Sequence, residues 1–213
     1  MIAIVDYGMG NLRSVWKAFR HLGADARLTQ NPQELADARA VVVPGVGAFR
    51  DCMANLERLA LMEPIVDAIG NGKPYLGICL GLQILFDESE EFGRTQGLGV
   101  LKGRVVRFPS DMRPQGSTNG RPLKVPQIGW NSLNIVRQAP VFQGISQGPH
   151  CYFVHSYYGK PEDPGVIASL TEYGIEFASS VWKDNLFACQ FHPEKSQAVG
   201  LKLLRNFVEL VGS

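Results

Sequence analysis

An α/β fold, with a central, mostly parallel sheet extended by antiparallel strands, is what this sequence predicts. Three observations carry that expectation. Short apolar runs alternate with longer amphipathic stretches through the first half of the chain, the pattern of β-α-β units. After Gly97 the texture changes to closely spaced short apolar runs, the pattern of antiparallel strands. The chain has 213 residues, 45% of them hydrophobic, which is enough to enclose one sizeable core, so one domain over residues 1–213 is expected.

The elements follow in order. Residues 2–5 read as a buried strand, and residues 11–22 as a helix that places Leu12, Val15, Trp16 and Phe19 on one face and ends at Gly23. Residues 40–43 form the next strand, entering the turn Pro44-Gly45-Val46-Gly47. Residues 53–69 read as helix with a break expected at Pro64, and Asn71-Gly72 marks the turn back. Residues 73–78 are a strand that runs into Cys79, after which residues 80–86 have helical composition. Short strands are expected at 103–108, 152–158, 166–170, 177–181 and 186–191, a surface loop at 109–126, and a closing amphipathic helix at 198–211.

Composition excludes several functional classes. Lys and Arg number 21 against 20 Asp and Glu, so no global field favours nucleic acid or an anionic membrane. No apolar stretch is long enough to span a bilayer, and the start of the chain has neither a basic segment nor an apolar signal core, so a cytoplasmic protein is expected. The cysteines Cys52, Cys79, Cys151 and Cys189 lie far apart without C-x-x-C spacing and read as free thiols. No two histidines have metal-ligand spacing, so neither a metal nor a cofactor is expected.

One motif stands out. Gly77-Ile78-Cys79-Leu80-Gly81 is G-x-C-x-G between a predicted strand and a predicted helix, the cysteine counterpart of a nucleophile elbow. Glycines permit the sharp turn, the helix start favours a thiolate, and the backbone N–H of Leu80 faces the same space as an oxyanion donor. The competing reading is a small buried residue in a tight turn, since cysteine is among the most buried residue types. Flanking glycines at the strand-to-helix switch favour the nucleophile.

A base is available far downstream. His192-Pro193-Glu194 ends a strand, and the residue before proline is held extended. Alternation then puts His192 and Glu194 on one side, so the carboxylate can orient one ring nitrogen while the other takes the thiol proton. Alone, the tripeptide reads as a strand terminator with a surface ion pair; the elbow elsewhere in the chain changes that. His21, His150 and His155 lack such company.

Weaker signals complete the set. The Pro44-Gly45-Val46-Gly47 turn can aim backbone N–H groups into a cleft, or be an ordinary turn. Asp6-Tyr7-Gly8-Met9-Gly10-Asn11 hints at phosphate but lacks the third glycine of the dinucleotide fingerprint. Gly129-Trp130-Asn131 and His155-Ser156-Tyr157-Tyr158 are polar and aromatic clusters whose function spacing alone does not establish.

Taken together, the elbow at Cys79 with Gln83 behind it and His192-Pro193-Glu194-Lys195-Ser196 resemble the class I (triad) glutamine amidotransferases. With the segments at residues 6–11, 44–47, 129–131 and 152–157, the set resembles the glutaminase subunits of imidazole glycerol phosphate synthases over nearly the whole chain. The resemblance implies a flavodoxin-like three-layer sandwich that hydrolyses glutamine to glutamate and ammonia. It implies a heterodimer in which a barrel-shaped cyclase subunit uses the ammonia to make imidazole glycerol phosphate and AICAR in histidine biosynthesis.

By the same resemblance, Cys79 forms a glutamyl thioester, His192 moves protons and Glu194 orients it; Gly47 and Leu80 are the oxyanion donors. Gln83, Ser156 and Tyr157 hold the substrate, and Asn11, Trp130 and Lys195 lie at the subunit interface and ammonia route. The family also implies a glutaminase that stays weak until its partner rearranges the 44–47 strand. The loop at 109–126 is longer than the family usually carries there. Two other classes use the same residues differently: a free-standing cysteine hydrolase or peptidase, and a non-catalytic flavodoxin-like binding module with an inert Cys79. Glutaminase subunits of other pathways, such as pyridoxal phosphate or aminobenzoate synthesis, are the nearest rivals.

Overall fold

The structure, a computed structural model, describes residues 1–114 and 122–212. The first half runs β1 (Ile2–Val5), α1 (Leu12–His21), β2 (Ala26–Thr29), α2 (Pro32–Asp37), β3 (Ala40–Gly45), α3 (Phe49–Arg58), α4 (Met62–Gly70), β4 (Tyr75–Cys79) and α5 (Leu80–Gln83). Then come β5 (Phe86–Ser89), β6 (Thr95–Gln96), β7 (Leu101–Arg107), β8 (Gln127–Ser132), β9 (Asn134–Ile135), β10 (His150–His155) and β11 (Tyr157–Pro161). The chain closes with β12 (Ile167–Glu172), β13 (Glu176–Lys183), β14 (Leu186–Cys189) and α6 (Gln197–Gly212).

An eight-stranded sheet in the order β2-β1-β3-β4-β14-β13-β12-β9 forms the frame. Its first five strands pair in parallel, and β13, β12 and β9 extend it antiparallel. Every residue of β1, β3, β4 and β14 is buried, as parallel strands covered on both faces must be. Strand alternation divides the core in two. Ile2, Ile4, Val42, Leu76 and Ile78 point to one face, where Val15 and Phe19 of α1 meet Leu203, Leu204 and Phe207 of α6. Ala3, Val5, Val41 and Val43 point to the other, against Phe49 and Leu56 of α3 and Ile65 of α4. Helices on both faces make the three layers.

Several local expectations are corrected. The helix expected over 53–69 is two helices, and the break lies at residues 59–61, where Ala60 has φ 54°, not at Pro64. Pro64 occupies the first turn of α4, where its missing N–H has no helical partner to lose. The helix expected over 80–86 stops at Gln83, because the carbonyls of Ile84, Leu85 and Phe86 accept hydrogen bonds from Leu98, Leu101 and Gly99. The 152–158 run splits at Ser156 into β10 and β11, and the strand expected to reach Phe191 ends at Cys189.

The antiparallel half continues the main sheet only in part. β8 and β10 form a separate two-stranded ribbon, and β11, β7, β5 and β6 form a four-stranded sheet. Sequence patterning placed no elements at β2, α2, β5, β6, β8 or β9, which are short or half exposed. Of the loop expected at 109–126, residues 115–121 lie outside the described residues. Its base is anchored by buried Met112, whose carbonyl accepts a 2.7 Å hydrogen bond from the Leu123 N–H.

Candidate active site

The elbow is built where β4 ends. Cys79 has φ 55° and ψ −103°, a left-handed conformation that costs a non-glycine residue about 1–3 kcal/mol and persists only where its surroundings impose it. The flanking glycines show what imposes it. A Cβ on Gly81 would collide with the Val43 carbonyl of β3, and one on Gly77 with the Gly81 carbonyl. The Tyr75 hydroxyl donates a buried 2.9 Å bond to that same Gly81 carbonyl.

The base arrives from β14. His192 is extended at φ −103° and ψ 96°, as the following proline requires, and its Nδ1 lies 2.9 Å from Glu194 Oε1. Glu194 reaches the ring from a short 3-10 turn, Pro193–Lys195, and not from the strand alternation expected. The backbone of His192 is clamped, its N–H donating to the Tyr152 carbonyl at 2.9 Å and its carbonyl accepting from Ser196 Oγ at 2.7 Å.

Both members of the pair are nearly sealed from water, with side-chain exposures of 2% for His192 and 1% for Glu194. With Nδ1 held by Glu194, the buried Nε2 is left to the Cys79 sulfur and to proton transfer. Burial alone would lower the imidazole pKa, but the Cys79 sulfur and the Glu194 carboxylate outweigh it and raise the value to about 10. The other three thiols are buried. Burial pushes Cys52 and Cys151 up to about 12 and Cys189 well above the ordinary thiol range, so they stay protonated.

A cleft of about 320 Å³ opens over the elbow, lined by Cys79, Leu80, Gln83, Val46 and Gly47 on one side and Ser156 and Tyr157 on the other. The structure thus gathers the expected nucleophile, oxyanion and substrate residues in one place, with His192 and Glu194 beside the sulfur. A Cβ on Gly45 would strike Tyr7 and Leu80, which joins the 44–47 turn to the elbow through the buried Tyr7 ring. The segment at 6–11, weighed above as a phosphate signal, packs Tyr7 under this turn.

The residues expected at an interface lie apart from the cleft. Trp130, 47% exposed, meets Tyr152 edge-on across the β8–β10 ribbon at 6.1 Å, and Lys195 lies over the Tyr152 ring at 5.6 Å. Asn11 precedes α1, where its Oδ1 accepts from Ser14 Oγ.

Three residues of the site were missed in the sequence. Gln190, fully buried, has its side-chain amide 3.5 Å from Cys79 Sγ and 3.1 Å from Gln83 Nε2. Its signal was present, because it precedes His192 by two positions and alternation points both the same way. Glu91 lines the cleft, with Oε2 accepting the Phe49 N–H at 2.7 Å, and nothing in its surrounding sequence marks it. His155, read above as without company, also lines the cleft; its Nδ1 donates to the Tyr157 carbonyl at 2.8 Å, and its Nε2, 3.0 Å from the Gln127 side-chain amide, accepts from that amide turned NH2 inwards. Burial lowers its pKa to about 4, so it is neutral. His21 and His150 are exposed.

The family model for class-I glutamine amidotransferases matches residues 3–210. The imidazole glycerol phosphate synthase subunit HisH of Syntrophotalea carbinolica is 56% identical, over 99% of this chain and 100% of its own. That of Geobacter metallireducens is 55% identical over 97% and 96%. A crystal structure of a glutamine amidotransferase superimposes with a TM-score of 0.73 at 21% identity, covering 100% of this chain and 99% of that one, which supports the fold. The chain belongs to the class-I glutamine amidotransferase family and, within it, to the HisH subunits of imidazole glycerol phosphate synthase.

Proposed function

We propose that the chain hydrolyses L-glutamine to glutamate and ammonia through a glutamyl thioester on Cys79, and supplies the ammonia to a cyclase subunit. The observation that carries this reading is the strained elbow cysteine beside a buried His192–Glu194 pair at the edge of the cleft. The Cys79 thiolate attacks the carboxamide carbon. The N–H groups of Leu80 and Gly47 receive the developing oxyanion. His192 gives its Nε2 proton to the departing nitrogen, ammonia leaves, and the thioester remains. Water then loses a proton to His192 and attacks the acyl carbon, releasing the γ-carboxylic acid and restoring the thiolate and imidazolium; the acid's proton passes through solvent to the ammonia. The net change is glutamine and water to glutamate and ammonium.

Recognition follows from the remaining polar atoms. Both amide hydrogens of Gln83 are taken, by the Tyr157 carbonyl at 2.9 Å and by Gln190, so its carbonyl is what it offers a ligand. Glu91 is the one carboxylate among the described lining residues, which suits the α-ammonium group of glutamine, and Ser156 and Tyr157 close the opposite wall.

The relatives are named as subunits of a synthase, which supports a partner that consumes the ammonia. The β8–β10 ribbon suits the partner: Ile128 and Trp130 are 63% and 47% exposed, and Tyr152 of the same ribbon bonds the base's backbone. Lys195, over the Tyr152 ring, belongs to the same face, and Asn11 is assigned to the interface from the family resemblance. Among the described residues no helix is long and apolar enough to cross a membrane, and four free thiols suit a reducing cytoplasm.

The test is glutamate release from glutamine by the purified chain, with and without an imidazole glycerol phosphate synthase cyclase subunit and its nucleotide ligand, alongside Cys79→Ala. Turnover that rises with the cyclase and disappears in the variant is expected. Absence of Cys79-dependent turnover under both conditions would refute the reading.

A further inference from the structure

The sulfur of Cys79 has a neighbour that the triad does not explain. The Nε2 of Gln190, a side chain with no exposure, lies 3.5 Å from Cys79 Sγ. A side-chain amide fits its site in either of two orientations, so which end faces the sulfur has to be argued from its partners. The chain of reasoning starts at the main-chain carbonyl of Tyr157, which can only accept. Gln83 therefore presents its NH2 group there, at 2.9 Å. The same nitrogen lies 3.1 Å from the Gln190 amide, and its second hydrogen needs an acceptor, so Gln190 turns its oxygen towards Gln83. The Gln190 NH2 group is left facing the sulfur. Its orientation is set by a carbonyl 74 residues from Gln83 in sequence, without reference to the sulfur at all.

We propose that Gln190 donates a hydrogen bond to the Cys79 thiolate and that Gln83 and the Tyr157 carbonyl hold it in that orientation. The inference deepens the reading of Cys79 as nucleophile and rests on it. A donor is useful here because a thiolate in a nearly closed site has lost most of its water, and a hydrogen bond to a charged acceptor is about twice as strong as a neutral one. Gln190 adds no charge of its own, so it stabilises the sulfur without competing with His192 for the proton.

The test reads the sulfur directly. Cys79 alkylation by iodoacetamide is followed from pH 5 to pH 10 in the full chain, for the unmutated protein, Gln190→Met and Gln190→Glu, with Cys79→Ala as background. Circular dichroism and cooperative melting establish that each variant is folded. The titratable groups around the sulfur are His192 with Glu194 behind it, Tyr7 and Cys189 beside it, and Glu91 and His155 along the cleft. All are retained in both variants.

Gln190→Met removes the donor, and the alkylation midpoint is expected to move up by about one pH unit, the size of one hydrogen bond to a charged group. Gln190→Glu keeps the acceptor for Gln83 and puts a carboxylate beside the sulfur, so like charge moves the midpoint further, and Gln190→Met is the variant that reads the donor alone. An unmoved midpoint in a folded variant overturns the proposal and leaves the nucleophile reading intact. Labelling of Cys79 no faster than that of the buried thiols removes the nucleophile reading itself. Should both variants fail to fold, the side-chain amide resonance of Gln190 in the unmutated chain decides: it shifts as Cys79 titrates, and its invariance overturns the proposal.

Discussion

Replacing His155 by glutamine should flatten the acid limb of the protein's stability curve. His155 has a folded pKa lowered to about 4, with burial as the main cause, against 6.5 in an unfolded chain. As pH falls through 6.5 the unfolded state binds a proton that the folded state refuses until about pH 4, so stability is fully present above 6.5 and is lost across that window. Integrating the linkage from pH 7.5 to pH 5 gives a loss of about 2 kcal/mol from this one side chain. The raised pKa of His192 acts in the opposite sense, its contribution being lost as pH rises from 6.5 through about 10, but it is common to both proteins and cancels in their comparison. The assay is urea unfolding of the unmutated chain and His155→Gln at pH 7.5, 6 and 5. The variant is less stable at pH 7.5, having lost ring contacts with Phe108 and Phe177 at 5.1 and 5.3 Å, so the slope decides and not the absolute value. Parallel curves for the two proteins would show that His155 is not held neutral, and the reasoning would fail.

Other outcomes follow from the same geometry. Gly81→Ala places a Cβ on the Val43 carbonyl, and is expected to cost about 3 kcal/mol or to prevent folding; an unchanged urea midpoint would contradict the close packing of elbow and β3. Glu194→Gln removes the carboxylate that helps raise the His192 pKa, so glutaminase turnover should fall at least about a hundredfold and the alkaline limb of its pH profile should move to lower pH. A limb that stays in place would exclude Glu194 as the orienting group. Trp130→Ala should weaken the complex with a cyclase subunit by about thirtyfold, read by titration calorimetry, while leaving the melting temperature nearly unchanged; undiminished affinity would move the interface elsewhere.

Much of the site was legible because its first causes are local. Glycines at positions 77 and 81 around Cys79 announce a turn that only small neighbours permit, and Pro193 dictates an extended His192, whatever the rest of the chain does. The all-apolar runs of β1, β3 and β4 likewise read directly as parallel strands buried on both faces. Where tertiary bonds compete with local preference, sequence reasoning fell short. Helical composition over 80–86 lost to hydrogen bonds from residues 98–101, and the short strands β5, β6 and β9 have too few residues to show a period.

The sequence by itself determined the α/β plan with a mostly parallel sheet, the elbow, and a thiol, a distant histidine and a carboxylate as the candidate triad. Only the tertiary structure decided what surrounds that thiol. Gln83 and Gln190 are 107 residues apart and Gln83 and Tyr157 are 74 apart, yet one hydrogen-bonded row joins all three to the sulfur. No periodicity encodes such a row, because its orientation depends on which donors and acceptors the folded sheet brings to one spot, and burial then makes every unpaired one costly.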